Sequence, residues 1–440
     1  SRTIRTWVDS NHNGVVDSGE QMDFSTANSG TLGPYLRAGA APYTADAIIN
    51  FIRGCEVSDC AEQAGLRDRR LQVPPGSHTL KLWKLGDIIN APPIVVAAPR
   101  DRYDVTVGDD TYNDYFTKYR ARRQMVYVGG NDGMLHAFNG GFYHPGDDTS
   151  TTTVLEHGWF TKNPTDNSSG APLGDEMWGF VPYELLPYLQ WLTRQDYQHV
   201  YYVDLPPVVK DVRIFTPDTD HPNGWGTVLI GGFRMGGSCQ ACTAAGGGPT
   251  MTVNISGTNY NFYSAYFVLD ITNPEVAPKL LWSFSKSDLG LTTSVPTVVR
   301  VNPTADLHTL NTNAKWFMVT GSGPTGYDGR AGQISKLFVV NMATGPGSAN
   351  SLVNTLIVGN GTVNGVVGDM KSVDRNLDYR SDVVYFGRAM NNTSPWHGKI
   401  YRLALGTVLP FGGATDPHLL EPLGDPISPR RCVIFFPDEP

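Results

Sequence analysis

The chain has 440 residues, enough for two or three average domains or one large β domain. Charged residues make up only 17%, below the usual quarter, while 48 Gly, 31 Pro, 20 Tyr, 18 Phe and 9 Trp suit many short strands joined by turns. A net charge of −8 argues against a nucleic-acid backbone as partner and is compatible with divalent cations; no apolar run reaches the length of a membrane helix, and no signal peptide is visible.

The first element in chain order is a polar loop, Asp9 to Glu20. Oxygen side chains fall at positions 1, 3, 5, 9 and 12: Asp9, Asn11, Asn13, Asp17 and Glu20. Gly14 takes the sharp turn at position 6, and Val15 offers its carbonyl at position 7. This is the full twelve-residue calcium-loop pattern, in which a wound backbone aims several oxygens at one ion. Two Asn in place of Asp lower the charge of the loop, which suits weak binding outside the cell. A helix is expected from Thr44 to Arg53, with Ala47, Ile48, Phe51 and Ile52 as its apolar stripe. A basic patch, Arg67 to Arg70, closes an N-terminal segment taken as residues 1–80.

There are five cysteines. Cys55 with Cys60, and Cys239 with Cys242, are candidates for two local disulfides in an oxidising compartment; free thiols are the alternative, and Cys432 is left over. Thr243 stands where covalent haem attachment would need His. No βαβ pattern surrounds the C-x-x-C, and no second ligand pair is spaced for zinc.

Over residues 81–440 a theme recurs. A proline-led strand is followed by a strand ending in Gly, then a loop, then a third strand. The first instance is 92–96, 125–130 and 135–138; the second is 206–209, 227–232 and 266–270; the third is 295–299, 316–321 and 337–341. Runs such as Leu281 to Phe284 fit an outer fourth strand. The glycines ending the second strands are read as tight bends. Uneven spacing implies insertions, for example at 140–180 and 236–262. Between 129 and 138, Asn131-Asp132-Gly133 reads as a hairpin turn, with His136 in the following strand.

The fourth instance replaces the proline strand with Asp374-Arg-Asn-Leu-Asp-Tyr-Arg-Ser-Asp382 and continues through 383–387 and 400–404. Asp374, Asn376, Asp378 and Asp382 fall at positions 1, 3, 5 and 9, and Arg380 at position 7 supplies a backbone carbonyl. A strand follows, so the metal is expected on a sheet scaffold. Four degenerate repeats of this kind give an all-β fold, a modified β-propeller with a small N-terminal calcium-loop and helix segment. Residues 430–436 look like the start of another blade, so the closing strands are expected to be missing from this chain or supplied by another one. The start at Ser1 fits a mature or cut piece of something longer.

Several runs converge on one family. Leu85 to Val96, Met125 to Phe138, Trp178 to Pro182, Tyr201 to Val208 and Phe267 to Pro274 occur in the expected order. From about residue 45 to 405 the chain resembles the C-terminal propeller domain of the PilY/PilC-type tip proteins of bacterial type IV pili. The resemblance implies a non-enzymatic module at the cell surface and the extracellular pilus tip, exported through the bacterial envelope. It implies a role in priming pilus assembly with minor and major pilins and in adhesion to a host or abiotic surface. It also implies that calcium in the loop matching Asp374, Asn376, Asp378 and Asp382 controls extension and retraction. Asn376 departs from the commoner Asp. A quinoprotein dehydrogenase, also a calcium-using propeller, is the enzymatic alternative, but only Ala343-Thr-Gly345 matches its docking motif and no Trp follows. A structural propeller of another surface machine is the third reading.

Overall fold

The computed structural model describes residues 2–13, 15–55, 65–106, 108–148, 157–238, 250–301, 314–346, 354–358, 364–375, 380–390, 397–405 and 420–422. The N-terminal segment contributes β1 (Ile4–Trp7), β2 (Gln21–Asp23), α1 (Ser29–Leu32), α2 (Ala45–Arg53), β3 (Arg70–Gln72) and β4 (Leu80–Leu82). The helix expected at 44–53 is α2. Thr44 caps it by accepting the Ala47 N–H at 3.2 Å, and Gly54 ends it in the left-handed conformation at φ 71°. Arg67 and Arg69 form no surface patch. Their guanidinium groups lie 4.1 Å from the Tyr197 ring and 3.8 Å from the Phe51 ring, pinning this segment to α2 and its neighbours.

Blade one follows: β5 (Ile94–Val96), the helices α3 (Tyr103–Thr106) and α4 (Asp110–Tyr119), β6 (Gln124–Gly129), β7 (Leu135–Pro145), β8 (Gly158–Thr161), β9 (Glu176–Val181) and α5 (Leu186–Leu192). Its sheet runs β5-β6-β7-β9, and β1 adds to β9 in parallel, so hydrogen bonding is continuous from the N-terminal strands into the blade. Blade two is β10 (Val208–Arg213) and β11 (Trp225–Gly232), then an inserted hairpin, β12 (Thr250–Ile255) and β13 (Thr258–Tyr263), then β14 (Ala265–Asp270) and β15 (Lys279–Ser285). Blade three is β16 (Thr297–Val301), β17 (Lys315–Gly321), β18 (Lys336–Asn341) and β19 (Asn354–Ile357). Blade four is β20 (Gly365–Val373), β21 (Val383–Met390), β22 (His397–Ala404) and β23 (Leu420–Pro422). Blades two, three and four are four-stranded antiparallel sheets in chain order, the insertion aside. The all-β propeller expectation holds.

The strands of blades two and three read as continuous apolar runs because both faces are buried. In β17, Trp316 and Met318 join the core shared with blade two, while Phe317 and Val319 join the core shared with blade four. In β18, Phe338 and Val340 split from Leu337 and Val339 in the same way. Successive apolar layers thus glue the blades face to face, each worth about 25 cal/mol per Å² of apolar surface removed from water.

Three expectations need correction. The inner strand of blade four is β20, ahead of the 374–382 run, which is the β20–β21 connection. A register shift between Val367 and Met370, around Gly368 and Asp369, breaks the alternation that would have marked β20 as a strand. The glycines at the ends of the second strands are not bends. A Cβ on Gly129 would lie 2.2 Å from the Val203 carbonyl oxygen, and one on Gly321 would lie 2.3 Å from Val367 Cγ1. They are small because the next stretch of chain presses against them. The region 140–180, read as insertion, also supplies β9, the fourth strand of blade one.

Candidate functional site

The N-terminal loop connects two antiparallel strands, β1 and β2, and is closed at its base by the Val8 N–H donating to the Glu20 carbonyl at 3.0 Å. Asp9 and Glu20 are buried. Asp9 Oδ1 accepts the Asn13 N–H at 3.0 Å, and Glu20 Oε1 accepts the Ser10 N–H at 2.8 Å. Asn11 and Asn13 both turn their amides onto Asp17 Oδ2, at 2.7 and 2.8 Å. Those two hydrogen bonds hold the Asp17 carboxyl below its ordinary range. Rotating an amide by half a turn exchanges its nitrogen for an oxygen, so the donor set is oxygen-rich and fits a hard cation. Val15 donates its N–H to Asn13 Oδ1 at 2.7 Å; Gly14 lies outside the described residues. The His12 ring stacks on Tyr260 of the inserted hairpin at 3.6 Å, which ties the loop to blade two.

In the 374–382 run, Asn376 and Asp378 lie outside the described residues. The base of the loop is held on three sides. Asp382 donates its N–H to the Val373 carbonyl at 3.0 Å, Ser381 to the Arg300 carbonyl at 2.9 Å, and Leu405 to the Asp382 carbonyl at 2.7 Å. The Asp382 carboxylate accepts the Arg375 N–H at 2.6 Å. The last acidic residue therefore reaches the second backbone N–H of its loop, as Glu20 reaches Ser10. In the 9–20 loop the first and last carboxylates, Asp9 and Glu20, both turn back onto backbone N–H groups of their own loop. Among the described residues no group of three or more His, Cys, Asp or Glu side chains is arranged to hold a metal. The described donors, Asp374 and Asp382 with the carbonyl position Arg380, fit a hard cation by chemistry.

The turn at 131–133 carries a buried charge network that the sequence hinted at only in part. His136 Nε2 lies 3.0 Å from Asp132 Oδ1, and its Nδ1 lies 2.6 Å from Glu176 Oε1. Arg2 forks onto Glu176 at 2.5 and 2.7 Å. Burial opposes charge on His136, but Asp132 and then Glu176 outweigh it and raise its pKa to about 9. Glu176 is likewise opposed by burial, yet Arg2 and His136 bring it to about 2. Each charge is matched, and His136 is fully enclosed, so the group works as a structural clasp between the N-terminus, the β6–β7 turn and β9.

Cys55 is disulfide-bonded; Cys60, Cys239, Cys242 and Cys432 lie outside the described residues.

Residues 85–410 match the PilY1 beta-propeller domain. The chain belongs to the PilY1 beta-propeller family. A type IV pilus biogenesis factor PilY1 homolog from Xylella fastidiosa is 27% identical over 303 residues, covering 68% of this chain and 18% of its own length. The type IV pilus biogenesis factor PilY1 of Pseudomonas aeruginosa strain UCBPP-PA14 is 28% identical over 355 residues, covering 78% of this chain and 22% of its own. The crystal structure of the Pseudomonas aeruginosa PilY1 C-terminal domain shares 25% identity with a TM-score of 0.42, over 71% of this chain and 45% of that one. The chain thus spans about a fifth of the length of these curated relatives. The family match contains the whole 374–382 run and excludes the 9–20 loop.

Proposed function

We propose that this chain is the calcium-responsive propeller of a type IV pilus biogenesis protein, without enzymatic activity. It acts at the cell surface or pilus tip, with minor and major pilins as partners, and contributes to surface adhesion. Calcium occupancy of Asp374, Asn376, Asp378, Arg380 and Asp382 sets the balance of pilus extension and retraction. The loop of Asp9, Asn11, Asn13, Val15, Asp17 and Glu20 takes a second, structural calcium. The observation that carries the reading is the family match across 85–410, with a calcium-type run anchored at the base of blade four.

The physical logic is local. Without a cation, Asp374, Asp378 and Asp382 repel one another across one short loop. A bound cation neutralises them and fixes the register at which β21 begins. Cys55–Cys60 and Cys239–Cys242 pair as local disulfides in an exported protein. The test is surface motility in a bacterium whose full-length gene carries Asp374→Ala or Asp378→Ala. Assembled pili that no longer respond to calcium support the reading; pili with an unaltered calcium response overturn it.

A further inference from the structure

A cavity of about 230 Å³ opens where the inner strands of blades two, three and four meet α3. Its wall includes Tyr103, Lys210, Arg300, Trp316, Asp374 and Arg380. Three cations therefore face one space. Two of them are backed by aromatic rings: the Arg300 guanidinium lies 5.3 Å from the Tyr103 ring and 5.6 Å from the Trp316 ring, and Lys210 Nζ lies 5.5 Å from Tyr103. Arg300 and Trp316 are buried. Their neighbouring acids are Asp101, 2.9 Å from Lys210 Nζ, and Asp109, 3.8 Å from Arg300 Nη2. The Trp316 indole N–H is also buried and finds no acceptor among the described residues. A buried donor left in that state costs about 1–3 kcal/mol. The volume is well above the roughly 30 Å³ that a water takes in the liquid.

We propose that this cavity binds a small acidic ligand, a carboxylate or phosphate-type group, and that calcium in the adjoining loop tightens it. The wall offers three cationic side chains together with the hydroxyls of Thr106, Ser372 and Ser381, donors that suit an oxyanion. Asp374 is at once part of the wall and position 1 of the calcium-type run. When Asp374 is neutralised by a cation, a negative charge that opposes the ligand is removed from the wall. By linkage the ligand then tightens the cation to the same degree. The coupling rests on the calcium reading above; the cavity itself does not.

The experiment is calorimetric titration of the whole chain with succinate and, separately, with sulfate, in chelator and in excess calcium. We expect at least one of the two to bind in chelator and to bind roughly tenfold tighter with calcium. Arg300→Gln and the conservative Trp316→Phe each weaken that binding. Asp374→Asn tightens it in chelator, because the charge is gone without any cation. Preference for succinate over sulfate marks a carboxylate ligand, and the reverse a phosphate-type one. Absence of binding by both probes in both conditions overturns the proposal even if calcium still stabilises the chain. Binding indifferent to Arg300→Gln and Trp316→Phe also overturns it. Tightening by Asp374→Asn with no response to calcium upholds the cavity and overturns the calcium reading instead.

Discussion

At the scale of single residues, the Asp132–His136–Glu176–Arg2 clasp gives stability a defined pH window. The folded pKa of His136 is raised from 6.5 to about 9, so its contribution is full below pH 6.5 and is lost as pH rises through about 9. Glu176 is lowered from 4.5 to about 2, so its contribution is full above pH 4.5 and is lost as pH falls toward 2. The melting temperature is expected to peak between about pH 4.5 and 6.5 and to decline on both sides. His136→Gln should flatten the alkaline limb in a melting series over pH, and an alkaline limb unchanged from the parent would remove the clasp from the account. Half of this network was legible in the sequence: Asp132 and His136 lie four apart across a turn. Glu176 and Arg2 were not, since they lie 174 residues apart and only the parallel pairing of β1 with β9 unites them.

At the scale of elements, local signals were readable wherever the periodicity was uninterrupted. Helix α2 has its stripe and its cap within ten residues, so its energetics are equally local. Thr44→Ala removes the acceptor for the Ala47 N–H and should cost about 1 kcal/mol in a urea titration, with Thr44→Ser recovering it. Helix α4 carried a comparable signal, Tyr112, Tyr115 and Tyr119 on one face, all buried, with the Tyr112 hydroxyl donating to Asp211 at 2.7 Å. Tyrosines at that spacing lack the aliphatic stripe by which α2 was read. Strand β20 was obscured for a different reason: its bulge shifts the pleat at Gly368 and Asp369 and puts polar residues out of phase. The oxygen-bearing runs at 9–20 and 374–382 stand out in the sequence because each is contiguous. What holds their bases is not: the ties of Ser381 to Arg300 and of His12 to Tyr260 come from elements far away in the chain.

At the scale of the whole molecule, stability resides in the apolar layers between consecutive blades. Gly321 makes a sharp probe of the layer between blades three and four. Gly321→Ala drives a methyl group into Val367 and should cost about 1–3 kcal/mol by urea unfolding. Val367→Ala in the same chain should return part of that loss, a coupling that two independent sites would not show. The repeats mark the blades, but in sequence a glycine that ends a strand looks the same whether it bends the chain or is pressed by a neighbour. Only the packed neighbours, Val203 and Val367, reveal why those positions have no side chain. The family match spans the blades and the 374–382 run together, so the propeller and its loop are treated as one unit. A calcium titration of the parent chain, Asp374→Ala and Asp9→Ala, each followed by a thermal melt, tests that unit most directly. If the run binds calcium as proposed, saturation at roughly a hundredfold excess over its Kd would stabilise the chain by about 2.7 kcal/mol. The melting temperature is expected to rise with calcium, to keep part of that rise in Asp9→Ala and to lose the blade-four component in Asp374→Ala. Identical calcium shifts in the parent and in Asp374→Ala, or a parent melt indifferent to both calcium and chelator, would contradict that expectation.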